Sequence, residues 1–437
     1  MPSARSSPSS KTRQVFLYFS LLSLLVNLVQ PQYLLDIPTS YMLKNLLHAS
    51  ASQVSIFRLI TAIPLFLGFV FGMARDLWNP FGRRDPGYFV LFVPVMVLVL
   101  AWMGLSRTTY AGLLIGMLLV MISYSFLFAA FQGLMALIGQ EALMAGRLSV
   151  IANSFNCLPV AAAFFASGFM TEHLSPLHIF FLVLALTAPV GIFGFWKPCS
   201  VFSHTYENPR AQGGNFLGDV KRLLKHRAVY PVVLLNLLWN FAPGVNTPMQ
   251  FYLTNDLHAS DAKYASFLGI LNLAYIPTFL LYGFLCTRFP PRKLLWWSVL
   301  AGLPQYVPLA FIHTAHQALL LAVPIGLMGG LASAALIDLA IRACPPGQQG
   351  TMMMLINAVL MLAARCSDVV GSWLFGLSAK YGFQLCMLSI TVVYALLLPV
   401  IPFVPKQITA TADGQPNPEA EAAVVAEIGD LPTPAWE

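Results

Sequence analysis

PTSYMLKNLLHAS occupies residues 38–50 and PMQFYLTNDLHAS residues 248–260. Pro, Leu, Asn, Leu and the closing His-Ala-Ser coincide at a constant offset of 210. Each segment ends a long apolar stretch and opens a polar loop. A segment repeated once per half, closing a span that runs the same way each time, predicts a chain built from two parallel repeats.

The rest of the chain fits that division. A bilayer core needs about 20 mostly apolar residues per helix. Twelve stretches qualify: 15–43, 53–74, 87–105, 112–138, 149–171, 177–196, 229–254, 264–287, 294–313, 317–341, 352–378 and 383–405. Several carry proline (Pro31, Pro38, Pro64, Pro159, Pro243, Pro248 and Pro277). Such residues break helices in water, but in a bundle neighbouring helices satisfy the freed backbone groups. The expected fold is therefore an all-α integral membrane protein of twelve helices in two pseudo-symmetric six-helix bundles.

Composition agrees. Of 437 residues, 58% are hydrophobic and 9% charged, with mean hydropathy +0.73. Soluble proteins carry about 25% charged residues, so a soluble enzyme, a disordered protein and a nucleic-acid binder are excluded for the chain as a whole. The pI near 9.1 does not mark a nucleic-acid partner, because the basic residues form no single patch. Alternating the spans places eighteen Lys and Arg on the side of the N-terminus. Four lie on the other side (Lys44, Arg107, Lys263 and Lys380), and Arg58 and Arg365 fall within spans. That bias predicts both termini in the cytoplasm of a plasma or bacterial inner membrane, with the lipid bilayer as the chain's main surroundings. No cleavable signal is visible, so the first span is expected to act as the targeting signal.

The domains expected are an N-terminal tail (1–14), a first bundle (15–196), a linker (197–228), a second bundle (229–405) and a tail (406–437). In the linker, NFLGDVKRLLKHRAV aligns Phe216, Val220, Leu223 and Leu224, flanked by Lys221, Arg222, Lys225 and Arg227. It reads as an amphipathic helix on the inner membrane surface or a solvated linker helix. The tail beyond 406 holds six acids, no basic residue and several Pro, and is expected to be disordered. Without those six acids the net charge of +7 would be +13.

Ionisable groups inside a membrane are costly and usually functional. Asp36 and Arg58 fall at similar depth in spans 1 and 2. They form the natural pair for proton coupling or for a static outer ion pair. Asp338 lies near the inner end of span 10. Arg365 lies near the middle of span 11, where it could hold a carboxylate or phosphate bidentately. Asp368, three residues on, could instead neutralise it. Asn357 lies two turns earlier on nearly the same face. In span 7, Asn236, Trp239, Asn240 and Asn246 surround Pro243-Gly244. Span 5 adds Asn153 and Asn156, and span 4 adds Tyr124 and Gln132. These groups could bind a planar heterocycle or simply join helices by hydrogen bonds. Gly68/Gly72 and Gly112/Gly116 have close-packing spacing.

No catalytic constellation, nucleotide loop or Cys pair appears. The six Cys read as small apolar packing residues, and His313 and His316 have no carboxylate or Cys beside them. Neither an enzyme, a primary pump, a metal site nor a cofactor is expected.

The loop GMARDLWNPFGRRDPGYFV (72–90) is similar to the major facilitator loop signature: Gly72, Asp76 four residues later, then Gly82 with Arg83 and Arg84. Gly72 would allow close packing, and Asp76 with Arg83 and Arg84 would latch one access state. The second-half counterpart keeps Gly283, Arg288, Arg292 and Lys293 but has no Asp. The longer gap between Asp76 and Gly82 resembles the folate–biopterin transporter family. So do NFAPGVNTPMQFYLTNDL (240–257) and RACPPGQQGTMMMLINAV (342–359). The resemblance implies the major facilitator fold and a monomeric, alternating-access carrier. Its solute would be a small folate- or pterin-like molecule or another organic anion, moved with protons. A sugar or peptidoglycan-fragment carrier, or a non-transporting membrane assembly factor, remain the alternatives.

Overall fold

The two repeated segments fold alike in the computed structural model, which describes residues 8–202, 216–378 and 380–415. Each contains a single π-helical turn, Met42–Leu46 in one and Tyr252–Asp256 in the other. Leu47 N–H donates to the Met42 carbonyl at 3.1 Å, and Leu257 N–H to that of Tyr252 at 3.0 Å. His48 and His258 follow in the left-handed region, at φ 50° and 51°. His is among the few residue types that tolerate it. Ser50 then caps the next helix in a capping box with Gln53. The repeat therefore encodes one hinge geometry, used twice.

Twelve helical spans follow in order. α1 is interrupted (Pro8–Leu28, Pro31–Leu34, Asp36–Tyr41), and α2 joins Ala51–Phe66 to Gly68–Leu77. α3 is Asp85–Leu105, α4 Tyr110–Glu141, α5 Ala145–His173, and α6 Pro176–Thr187 with the 3-10 extension Ala188–Gly194. In the second half α7 joins Val229–Asn240 to Thr247–Phe251, and α8 is Asp261–Leu285. α9 is Pro291–Gly302 with Val307–Phe311, α10 Ala315–Arg342, and α11 Gln349–Gly376. α12 runs from Gly382–Ala395 through Leu397–Val400. Among the described residues nine of these are long and apolar enough to cross a membrane. The other three are the interrupted α1 and α7 and the amide-bearing α5.

The interruptions have local causes. Pro31 lacks the N–H that would continue the ladder from Leu28. In α7 the Pro243-Gly244 pair opens residues 241–246, with Gly244 at φ 121° against the side chain of Cys386. Broken spans of this kind expose side-chain and backbone polar groups at mid-membrane, where they can line a cavity.

The halves meet through α2 on α11 and through α5 on α8 and α10. Hydrogen bonds join the halves on the side of the linker. Gln140 Nε2 donates to the Cys344 carbonyl at 2.7 Å, and Gln349 Nε2 to Gln140 Oε1 at 3.1 Å. Ser149 Oγ reaches the Ala334 carbonyl at 3.3 Å. The linker contains a helix, Phe216–Lys225, with Leu223 buried and Leu224 exposed.

One expectation is overturned. The acidic tail does not begin disordered: a short turn, Lys406–Thr409, carries the chain back beneath the bundle, and Asp413 is buried there. Two arginines and a helix N-terminus hold it, as described below. The other five acids of the tail lie outside the described residues.

Candidate functional site

A cavity of about 330 Å³ lies between the halves, beside the breaks in α1 and α7. Asn153, Trp239, Asn240 and Asn357, expected from the sequence to bind solute, all line it. Asn27, Gln30, Gln132, Asn156, Asn236 and Tyr124 join them. Aromatic and apolar walls come from Phe128, Phe131, Met354 and Met361. Its lining holds no Asp, Glu, Lys or Arg.

Local structure fixes the polar ends. Trp239 donates its Nε1–H to Ser333 Oγ at 3.1 Å and stacks on Tyr394 with centroids 4.5 Å apart. Asn153 Nδ2 donates to the Ser149 carbonyl at 2.8 Å, one helical turn back. Asn236, Asn240 and Asn357 do the same toward Val232, Asn236 and Met353, each at 2.9 Å. The Tyr124 hydroxyl and Gln132 Oε1 are buried and have no hydrogen-bond partner. A buried polar atom without a partner carries a desolvation cost that a bound solute can remove.

The charged residues stand elsewhere. Asp36 and Arg58 pair at 3.1 Å, but both side chains are about half exposed (44% and 51%) and neither lines the cavity. Arg365 is also outside the lining. It follows Ala364, which lines the cavity, and one residue turns a helix by about 100°. Arg365 is exposed, and no ion pair joins it to the half-buried Asp368 among the described residues. The anticipated bidentate Arg at the centre of the site is therefore not in place in this state.

The linker-side latch also differs from expectation. Asp76 is 5% exposed and bonds across the halves to the first turn of α11. Its Oδ1 accepts from Gly350 N–H at 3.0 Å, and its Oδ2 from Thr351 N–H and Oγ1–H, both at 2.7 Å. A carboxylate at a helix N-terminus satisfies donors that have no partner inside the helix and meets the positive end of the dipole. Its arginine partner is Arg75 at 2.9 Å, not Arg83 or Arg84. Arg75 also grips Asp85 through Nε at 2.6 Å and Nη2 at 2.7 Å. Arg83 is exposed and Arg84 half-buried. Phe81, Gly82 and Arg84 all adopt positive φ, and this turn carries the Arg pair away from Asp76. Gly72 packs directly on the Gly350 backbone; a Cβ there would fall 2.7 Å from the Gly350 carbonyl carbon and 2.8 Å from Thr351 Cα.

A second buried cluster lies on the same side. Asp338 accepts from the Tyr282 hydroxyl and from Arg342 Nε, both at 2.7 Å. Asp413 accepts from Arg147 Nε at 2.9 Å and Arg342 Nη2 at 3.2 Å. It also takes the N–H groups of Gly146 and Arg147, in the first turn of α5, at 3.2 and 3.3 Å. Sequence reasoning left Arg75, Asp85, Thr351 and Asp413 without roles. Thr351 was visible in the Gly-Thr segment, but nothing in the composition of the tail singled out Asp413.

Comparison with known proteins fits this architecture. The profile of the Major Facilitator Superfamily matches residues 15–367. "Folate transporter 1" of Plasmodium falciparum is 23% identical over 390 residues, 81% of this chain and 71% of the relative. The "Folate-biopterin transporter" of Synechocystis is 25% identical over 388 residues, 83% and 76% of the two chains. The fucose:proton symporter FucP of E. coli superposes with TM-score 0.69 at 15% identity, covering 89% of this chain and 98% of that one. The human organic anion transporter MFSD10 superposes with TM-score 0.60 at 15% identity, covering 91% and 100%. The chain is thus a multi-pass membrane transporter that belongs to the major facilitator superfamily and, within it, resembles the folate–biopterin transporters.

Proposed function

We propose that this chain is a secondary active transporter that moves a small organic solute, pterin- or folate-like, by alternating access between its two halves. The observation that carries the reading is the amide- and aromatic-lined cavity between halves that are bonded together on the linker side. The similarity to folate and folate–biopterin carriers supports the solute class. The excess of Lys and Arg on the linker side supports a cytoplasmic linker and termini in a plasma or bacterial inner membrane. In that orientation the described state faces outward. The chain works as a monomer, because each half finds its partner within the same polypeptide. Proton coupling is assigned to Asp36, whose pairing with Arg58 would exchange with protonation as access alternates.

A membrane assembly factor on the same scaffold would be favoured by a cavity packed dry with large apolar side chains, and amides line this one. The test is uptake of labelled pterins and folates by the purified chain in liposomes, with and without a pH gradient. Uptake stimulated by an acidic exterior is expected. Uptake of another solute with no uptake of any pterin or folate would overturn the solute class.

A further inference from the structure

Five amides of the cavity are held in one orientation. Asn27 Nδ2 donates to the Ser23 carbonyl at 2.8 Å, and Asn153, Asn236, Asn240 and Asn357 make the same i to i−4 bond in three other helices. A helix carbonyl can take only a donor, so the nitrogen end of each amide is turned onto its own helix. Each Oδ1 is thereby turned away from its own helix, beside the second N–H of the same amide. Gln132 adds an unpartnered Oε1. The hydroxyl of Ser125 donates to the Met121 carbonyl at 2.8 Å, which leaves its lone pairs facing the cavity. No Lys or Arg stands in the lining to balance these oxygens.

We propose that this cavity is an acceptor-rich cage without a cation, which favours solutes by the N–H and O–H donors they offer over bare carboxylates. Asn27, Asn153, Asn236, Asn240, Asn357 and Gln132 are its specificity-determining residues. The solute class that fits is an uncharged, donor-rich planar ring such as a 2-amino-4-oxopteridine, seated against Phe128 and Trp239. An anionic substituent on such a ring would have to point out of the cage. This deepens the proposed function and rests on its solute class.

The experiment measures binding to the purified full chain by quenching of tryptophan fluorescence. The probes are 2-amino-4-oxopteridine, its 2-dimethylamino analogue, which keeps the ring but loses the donors, and a benzene dicarboxylate. The amino compound is expected to bind about tenfold or more tighter than the dimethylamino compound, the scale of one unmade buried hydrogen bond. Asn240→Leu and Gln132→Leu, each monodisperse in detergent, should reduce that ratio to about threefold or less. Equal binding of the two pteridines, or tighter binding of the dicarboxylate, overturns the cage. If no pteridine binds, the folate–pterin reading fails by itself, and the solute that liposome uptake then identifies decides the cage. A polyol or other donor-rich solute upholds it, and a donor-free anion overturns it.

A second inference rests on a separate observation. Asp76 holds the N–H groups of Gly350 and Thr351, the second and third residues of α11. Asp413 holds those of Gly146 and Arg147, the second and third residues of α5. α5 and α11 occupy corresponding places in the two halves. The repeat offset of 210 carries Asp76 onto Cys286, and the Cys286 carbonyl accepts the Asp413 N–H at 2.9 Å. The second half lacks a loop carboxylate, and the tail brings one to its place. We infer that residues 406–415 form a strap whose Asp413 stands in for the missing loop carboxylate and closes the linker side.

Two variants test this with the whole chain. Linker-side opening is read by labelling of a cysteine placed at Gln140, with the native cysteines otherwise replaced by Ala or Ser. Asp413→Ala should raise labelling severalfold. Adding Cys286→Asp to Asp413→Ala should restore the closed level, because it returns the carboxylate to the loop. Unchanged labelling in Asp413→Ala overturns the role of the strap. Raised labelling that Cys286→Asp leaves unrepaired, in a protein that still elutes monodisperse, overturns the equivalence of the two carboxylates.

Discussion

Asp76 Oδ2 accepts the backbone N–H of Thr351 at 2.7 Å, across the boundary between the two halves. The bond is local to neither bundle, since 275 residues separate its ends. It exists only while the linker side is closed, so it biases one access state rather than stabilising either half. Hydrogen bonds to a charged group contribute about 1.5–3 kcal/mol each, with less than additive totals. Asp76→Asn keeps the shape but removes the charge and one acceptor. We expect it to shift the population toward the linker-open state by roughly tenfold, an effect of about 1.4 kcal/mol. Distance distributions between spin labels on the linker-side ends of α2 and α11 would measure it. Unchanged distributions would remove Asp76 from the latch.

Gly72 tests the packing beneath that bond. Its virtual Cβ meets backbone atoms of Gly350 and Thr351, which cannot rotate away as a flexible side chain would. Gly72→Ala should therefore push α2 off α11 on the linker side, at an overpacking cost of about 1–3 kcal/mol. Transport should fall sharply while the folded protein remains. Gly82→Ala is the control: that residue has φ 66° but nothing within 4 Å of a Cβ. Its cost should be backbone strain alone, about 1 kcal/mol, with transport largely kept. Equal loss in both variants would mean that the α2–α11 contact is not the sensitive element.

What could be read in the sequence, and what could not, divides along one physical line. The repeat at 38–50 and 248–260 was legible because a π turn followed by a left-handed His needs particular residues at particular spacings. Asn153, Asn240 and Asn357 were conspicuous because amides are rare in apolar spans. Lateral partners were not legible. Asp76 was matched to Arg83 and Arg84 because they complete the loop signature, whereas its partners are Arg75 and a helix start 274 residues away. Arg365 was placed in the site by its depth, but one residue of helical rotation separates it from the lining. Asp413 looked like one more solvated acid, since composition cannot show that the chain turns back after Lys406–Thr409.

The Asp36–Arg58 pair separates stability from coupling. Both side chains are about half exposed, so the pair should contribute no more than about 1 kcal/mol to stability. Asp36→Asn should leave the melting temperature within a few degrees. It should abolish accumulation driven by a pH gradient while sparing exchange of labelled for unlabelled solute, because exchange needs no net proton movement. Accumulation that survives in Asp36→Asn would place proton coupling on another group.

The strap should respond to pH in a defined direction. Burial pushes the Asp413 carboxyl above the ordinary carboxylate range and the facing Asp338 adds to this, while Arg342 and Arg147 pull it back only in part. The docked value therefore exceeds the free value of about 4, and docking takes up a proton. The stabilisation from this group is complete below the free value and is lost as pH rises through the docked one. Hydrogen exchange reads the strap directly, because Asp413 N–H donates to the Cys286 carbonyl and Gly414 N–H to that of Leu143. After correction for intrinsic exchange, protection at these two amides should fall as pH rises. Asp413→Asn has no carboxyl to titrate, and its protection should not vary with pH. Protection that rises with pH, or the same pH dependence in the Asn variant, would show that another group controls docking of the strap.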